Sequence, residues 1–312
     1  MVLKVMKDSI DACVYNIKEG NVNWFMSTYL TLVHVAAAVG IWSIPSCTWQ
    51  TLLFAFLLWP LSGFGITAGV HRLWSHRAYQ AKLPFRLVLM LLNSIANQGS
   101  IYHWTRDHRV HHKHSETNSD PHNAKRGFFF AHMGWLMLKK HPDVIKAGKD
   151  MDFSDLLMDP VVRLQRLLDP WLQLVMCFAF PAFMCQLWGD SLWNGYFVPG
   201  ALRYVYVFHC TFLVNSAAHF FGDRHYDSNI WPAENPIVSF FAIGEGWHNW
   251  HHKYPFDYAA SEFGISTQYN PTKMFIDLGA SMGQVYKRKR ATEAWELLKE
   301  KRASQEPKAK AE

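Results

Sequence analysis

The sequence predicts an all-α membrane protein, with four transmembrane helices in two hairpins beneath a helical cap. Three observations lead there: long stretches with few or no charges, very short turns between pairs of them, and charge gathered elsewhere. Crossing a hydrocarbon core as a helix takes about 20 apolar residues. Residues 25–44 (FMSTYLTLVHVAAAVGIWSI) and 51–70 (TLLFAFLLWPLSGFGITAGV) reach that length without a charge, and only PSCTWQ separates them. Residues 170–188 and 196–217 form a second pair joined by GDSLWNG, the last stretch interrupted by Arg203, His209 and Asn215. The mean hydropathy of −0.08, for 312 residues that are 50% hydrophobic and 15% aromatic, averages over this segregation. Pro60 and Pro181 fall inside spans, where neighbouring helices can satisfy the freed backbone groups.

Charge sets the orientation. Lys and Arg are missing from both short turns but frequent from Arg72 to Arg166, and Lys287-Arg288-Lys289-Arg290 follows later. The positive-inside rule then places both termini and the cap in the cytosol. Residues 1–24 read as a polar lead-in, 25–286 as the domain proper with its cap in 71–169 and 218–286, and 287–312 as a basic, disordered tail. The run PFRLVLMLLNSIANQ from Pro84 carries an arginine and is short for a span, so a buried or interfacial helix is expected there. The first apolar run starts too late and is too long for a cleaved leader, and reads as an anchor. Cys13, Cys47, Cys177, Cys185 and Cys210 have no metal-type or disulfide-type spacing and read as free thiols.

Nine of the seventeen histidines suit a metal: His71 and His76 in HRLWSH, His108, His111 and His112 in HRVHH, His248, His251 and His252 in HNWHH, and His219 in NSAAHFFG. Imidazole is the commonest neutral nitrogen ligand. Helix positions i, i+3 and i+4 share a face, so each HxxHH is expected to aim three rings at one point. The first box is spaced by five, which turns its rings about 140° apart on an ideal helix, so they converge only if the helix ends there. Nine ligands exceed the four that zinc usually takes. The boxes also lack the carboxylates of Glu-rich di-iron bundles. An all-nitrogen pair of irons held in the cytosolic cap fits best, with Glu116, Asp120 and Asp223 available to orient the rings.

Redox iron at a membrane face argues for dioxygen chemistry on an unreactive C–H bond of a lipid kept dry between the spans. Arg106, Arg126, Lys139 and Lys140 are candidates to bind an anionic head at the cytosolic mouth. The net charge of +6 fits that role and attraction to anionic lipid equally well.

The strings GITAGVHRLWSHRAY, RDHRVHHKHSETNSDPHNAKRGFFFAHMGW, NSAAHFFGDRHYD and GEGWHNWHHKYPFDYAASE resemble the membrane fatty acyl-CoA desaturases of the stearoyl-CoA Δ9 type, over roughly residues 25–285. That resemblance implies a four-span protein whose cytosolic cap holds two irons. One iron would take His71, His76, His108, His112 and His251, the other His111, His219, His248 and His252, and Asn215 would reach the second through water. The implied reaction takes two hydrogens from a saturated C16–C18 acyl-CoA to form a cis double bond, consuming O2 and two electrons. Cytochrome b5 and its NADH-dependent reductase would supply the electrons, and no HPGG haem-binding string of a fused b5 domain occurs here. Arg106 and Asp107 match positions that contact the coenzyme A moiety, with Lys139 and Lys140 where the pattern has Arg-Lys. Departures fall on the substrate side: Gly99 stands where an asparagine is common, His103 replaces an acidic residue and Phe212 replaces a tryptophan.

Residence in the endoplasmic reticulum membrane follows from the resemblance, and Lys308 and Lys310 have the spacing of a dilysine retrieval signal. The partners implied are acyl-CoA, cytochrome b5 and membrane lipid, with no nucleic acid. Two alternatives stand beside desaturation. A histidine-box acyl hydroxylase shares the first hydrogen abstraction, although the GITAGVHRLWSH and GEGWHNWHH contexts favour desaturation. A membrane metal carrier would need ligands within its spans, where only His34 and His209 lie.

Overall fold

The computed structural model describes residues 14–305, so most of the lead-in, Cys13 and the two tail lysines lie outside the described residues. Helix α1 (Trp24–Ser43) starts where Asn23 accepts the Met26 N–H at 3.2 Å, satisfying one of the donors a helix start leaves free. Pro45 and the Thr48 cap then reverse the chain into α2 (Trp49–Phe64). Helix α2 runs on without a break into a π-helical stretch, Gly65–Ser75, that carries the first histidine box. Close behind it packs α3 (Leu83–Ala96), the short apolar helix expected from the sequence. Gly65 makes that approach possible, since a Cβ there would fall 2.1 Å from the Asn93 nitrogen.

Helix α4 (Ile101–His114) carries the second box and lies against the π-helical stretch. Helices α5 (Pro142–Lys149) and α6 (Pro160–Leu168) flank it. The second hairpin is α7 (Trp171–Gln186) with α8 (Leu192–Phe220). Beyond it come α9 (His248–Lys253) with the third box, α10 (Pro271–Ser281) and α11 (Thr292–Gln305).

Among the described residues, three helices are long and apolar enough to cross a membrane: Trp24–Ser46, Trp49–Ser75 and Leu192–Phe220. The third expected span is different. Trp171–Gln186 falls short of bilayer length alone and passes only together with α6, from which it is bent by 78°, as one broken element that brings the number to four. Phe25, Leu32, Trp42 and Phe56 are exposed on the first two helices, an apolar surface of the kind lipid covers.

Two polar devices hold the bundle. At the end away from the histidines, Asp190 accepts from Thr48 N, Thr48 Oγ1 and Thr51 Oγ1 with one oxygen, and from Ser191 N and Asn194 Nδ2 with the other, joining both hairpin turns. Arg203, the charge that weakened the last span in the sequence, is buried and donates to the carbonyls of Pro199, Ile95 and Cys177 at 2.9–3.1 Å. Charges at membrane depth survive by such pairing.

The structure departs from the expected fold in two places. A two-stranded antiparallel ladder, Gln80–Ala81 with Val285–Tyr286, pins the start of the cap to its end. The tail is not disordered throughout: residues 292–305 form α11, whose Trp295 packs with Tyr226, Trp250 and Tyr254. A composition rich in Lys and Glu hid that anchor, since one buried indole outweighs a polar average.

Candidate metal centre

The nine rings gather into two groups at the head of the bundle. His71, His76, His108, His112 and His251 form one and His111, His219, His248 and His252 the other, with the nitrogens of each group within 4.8 Å of one another. His71 and His76 converge because the turn between them is π-helical. Its i→i+5 bonding sets residue i+5 above residue i, and His76 N–H donates to the His71 carbonyl at 3.1 Å. The helix also ends at His76, as the spacing required.

Each HxxHH divides its rings rather than aiming all three at one point. His108 and His112 join the five-ring group while His111 joins the four, and His248 and His252 join the four while His251 joins the five. Adjacent helical residues point about 100° apart. When i and i+4 converge, i+3 must therefore face the neighbouring centre, and the two groups are built side by side.

Carboxylates fix several rings from behind. His111 Nδ1 donates to Asp120 at 2.9 Å and His219 Nδ1 to Glu116 at 2.6 Å. His71 Nδ1 lies 3.0 Å from Glu245, which also pairs with Arg72. Burial opposes ionisation of Asp120, yet His111 and the backbone N–H of Glu116 hold its carboxyl below the usual range. Burial, and then the neighbouring imidazoles, push His76, His108, His112, His248, His251 and His252 far below the ordinary imidazole range, so these rings are neutral.

A ring held by its Nδ1–H on a carboxylate turns Nε2 the other way. The Nε2 atoms of His111 and His219, so held, sit 3.3 and 3.1 Å from those of His252 and His248. In the other group, His71 Nε2 lies 2.9 Å from His251 Nε2, which is 3.0 Å from that of His112. Hydrogen bonds alone cannot satisfy so many converging lone pairs. A nitrogen-preferring metal ion in each group does, and imidazole suits first-row ions such as iron and zinc.

A cavity opens beneath both groups, touching His71 and His108 of one and His111 and His248 of the other. It descends along successive turns of one helix past Thr67, Ile66 and Gly63 to Trp59, roughly 15 Å at helical rise. Val207, Val214 and Ile243 make its opposite wall apolar, and Asn215 lines it near the rings.

Comparison with known proteins matches residues 47–267 to the fatty acid desaturase family. The chain belongs to that family. It is 50% identical to stearoyl-CoA desaturase 5 of Homo sapiens over 273 residues, 87% of this chain and 82% of the relative. Against the Homo sapiens stearoyl-CoA desaturase it is 46% identical over 303 residues, 95% and 84% of the two chains. Against the Delta(9)-fatty-acid desaturase fat-6 of Caenorhabditis elegans it is 47% identical over 270 residues, 86% and 79%.

The remaining sequence-selected residues of this desaturase lie in different places. Arg106, Asp107 and Lys140 form one ion-paired cluster lining a second, open depression on the outer side of α4. Lys139 is exposed and lines neither cavity, its backbone N–H bonding the Asn21 carbonyl. Gly99 is exposed at φ +88°, with His103 the nearest side chain. Phe212 lines neither cavity: it is buried against Phe208, His132 and Trp135. Asp223 does not orient a ring; its backbone pairs with Glu234. The desaturase uses Glu245 instead, a residue passed over although it stands three places before His248 in GEGWHNWHH. His122, whose ring lies 4.2 Å from that of His111, was also passed over.

Proposed function

We propose that this acyl-CoA desaturase inserts a cis double bond, at Δ9, into saturated C16–C18 acyl-CoA, with an iron in each histidine group. The observation that carries the reading is that one mostly apolar cavity is roofed by rings of both groups. His71, His76, His108, His112 and His251 would hold one iron and His111, His219, His248 and His252 the other, with Asn215 reaching the second through water. Bound iron supplies activation of O2 for hydrogen abstraction from an unreactive C–H bond.

The chain's own residues do the rest. Asp120 and Glu116 hold His111 and His219 by their Nδ1–H groups. The apolar walls exclude water from the reacting carbons, and the end of the cavity at Trp59 would set how far the chain reaches, hence which carbons lie beneath the rings. Arg106, with Lys140, offers positive charge to coenzyme A phosphates at the depression, while Asp107 keeps both side chains in place. Stearoyl-CoA in the relatives' names supports an acyl-CoA substrate. Electrons from cytochrome b5 and its reductase, residence in the endoplasmic reticulum and cytosolic termini belong to the same reading. The last is supported by the absence of Lys and Arg from both hairpin turns.

Expression in a desaturase-deficient yeast, with mass spectrometry of fatty acids and elemental analysis of purified protein, tests it. Monounsaturated C16–C18 products with close to two irons per chain are expected. His108→Ala should abolish the products while the protein stays in the membrane. Full activity of that variant, or iron-free active protein, overturns the assignment.

A further inference from the structure

Three histidines outside the metal centre form a continuous polar chain. His34 on α1 has Nδ1 2.6 Å from the Leu30 carbonyl and Nε2 3.0 Å from Nε2 of His209 on α8. His209 Nδ1 lies 2.9 Å from Nε2 of His132, a residue of the short turn Phe130–Gly134. His132 Nδ1 lies 2.9 Å from Ser216 Oγ, which donates to the Phe212 carbonyl at 2.8 Å.

Counting hydrogens along this chain gives a mismatch. Both ends are carbonyl oxygens, which only accept. Five contacts in series therefore need five hydrogens. A neutral imidazole brings one and a hydroxyl one, so His34, His209, His132 and Ser216 supply four. In the neutral chain one contact is left without a hydrogen. A single added proton completes it: His132 then donates on both sides, Ser216 to Phe212, His209 to His34 and His34 to Leu30.

We propose that this chain is a binding site for one excess proton, shared by His34, His209 and His132. Interacting rings titrate as a unit rather than singly. The titratable groups facing His209 are His132 and His34. Against His132 lie the rings of Phe128 and Phe212, and no acidic side chain among the described residues pairs with His132 or His209. Burial of His132 disfavours the charge, and the hydrogen bonds completed on both of its sides favour it. Ser216, the chain's last side chain, sits at the helical break after Asn215, one residue from the cavity wall.

The test is Raman spectroscopy of the iron-loaded protein in lipid nanodiscs in D2O, where imidazolium has a band distinct from the neutral ring, taken from about pH 8 to about pH 5. Wild type minus His209→Gln should show one histidine's worth of imidazolium. Ser216→Ala gives the sharper result. It keeps every histidine but removes the hydroxyl that accepts from His132, so three rings supply the three hydrogens that remain necessary and the band should vanish. Ser216→Ala, a small truncation, also serves if His209→Gln fails to fold. Retention of the band in Ser216→Ala, or no band in wild type across the range, overturns the proposal.

Discussion

Glu245 stands between His71 and Arg72: its Oε2 lies 3.0 Å from His71 Nδ1 while Oε1 takes two N–H bonds from the guanidinium at 2.8 and 3.0 Å. Burial opposes its ionisation, but Arg72 and then His71 hold the carboxyl below its usual range. The anion lies behind the His71 ring, on its Nδ1 side, and Nε2 faces the centre. Glu245→Gln keeps the shape and removes the charge. It should lower metal affinity about 10–100-fold, read as iron retained after dialysis against a graded chelator.

Gly63 lines the cavity four residues from Trp59. A Cβ there would meet Ile243 Cδ1 at 2.7 Å, so Gly63→Val fills space the alkyl chain needs. Product profiles should shift toward shorter acyl chains, by about 1–3 kcal/mol of discrimination per methylene. An unchanged C16 to C18 ratio would remove Gly63 from the tunnel wall.

Glu234 accepts the Trp250 N–H at the start of α9 at 2.8 Å, and burial pushes its carboxyl up to about 8 from an ordinary 4.5. Below the ordinary value both folded and unfolded chains are protonated. As pH rises from about 4.5 to about 8 the unfolded chain releases its proton first, so stability falls across that window and is level above it. Glu234→Gln should flatten the fall, measured as Tm against pH in detergent; an unaltered slope would assign it to other groups.

Trp295 is buried among Tyr226, Trp250 and Tyr254, its ring 5.1 Å from that of Tyr226. Trp295→Ala should cost about 3 kcal/mol, seen in thermal unfolding. Because Trp250 lies within the third box, iron loading should fall with it, whereas a change at exposed Glu293 should leave both untouched.

The sequence was most legible where one physical requirement acts over a whole segment. Apolar runs of bilayer length located α1, α2 and α8 within a few residues, and the nine rings were readable because histidine is rare enough that HRVHH and HNWHH stand out, whereas their division between two centres came only from the family resemblance. What escaped depended on local geometry or on single contacts. Periodicity assumes an α-helix, so it could not foresee that a π-helical turn brings His71 and His76 together. Nor does helical phase alone say that i+3 turns to a second centre until that centre exists. Glu245 and Asp223 look alike as acidic neighbours of a box, and only backbone paths distinguish the one behind a ring from the one paired to Glu234. Arg203 read as a flaw in a span because two of the three carbonyls that receive it come from other helices, α3 and α7.

The widened turn from Gly65 to Ser75 makes the number of residues matter as much as their kind. Removing one would let the stretch tighten to ordinary α-helix and swing everything after it by about 100°, carrying His76 off its mark with every side chain intact. Substitution scans would pass over this register constraint. A library of single deletions would reveal it as a block of positions at which shortening by one is never tolerated.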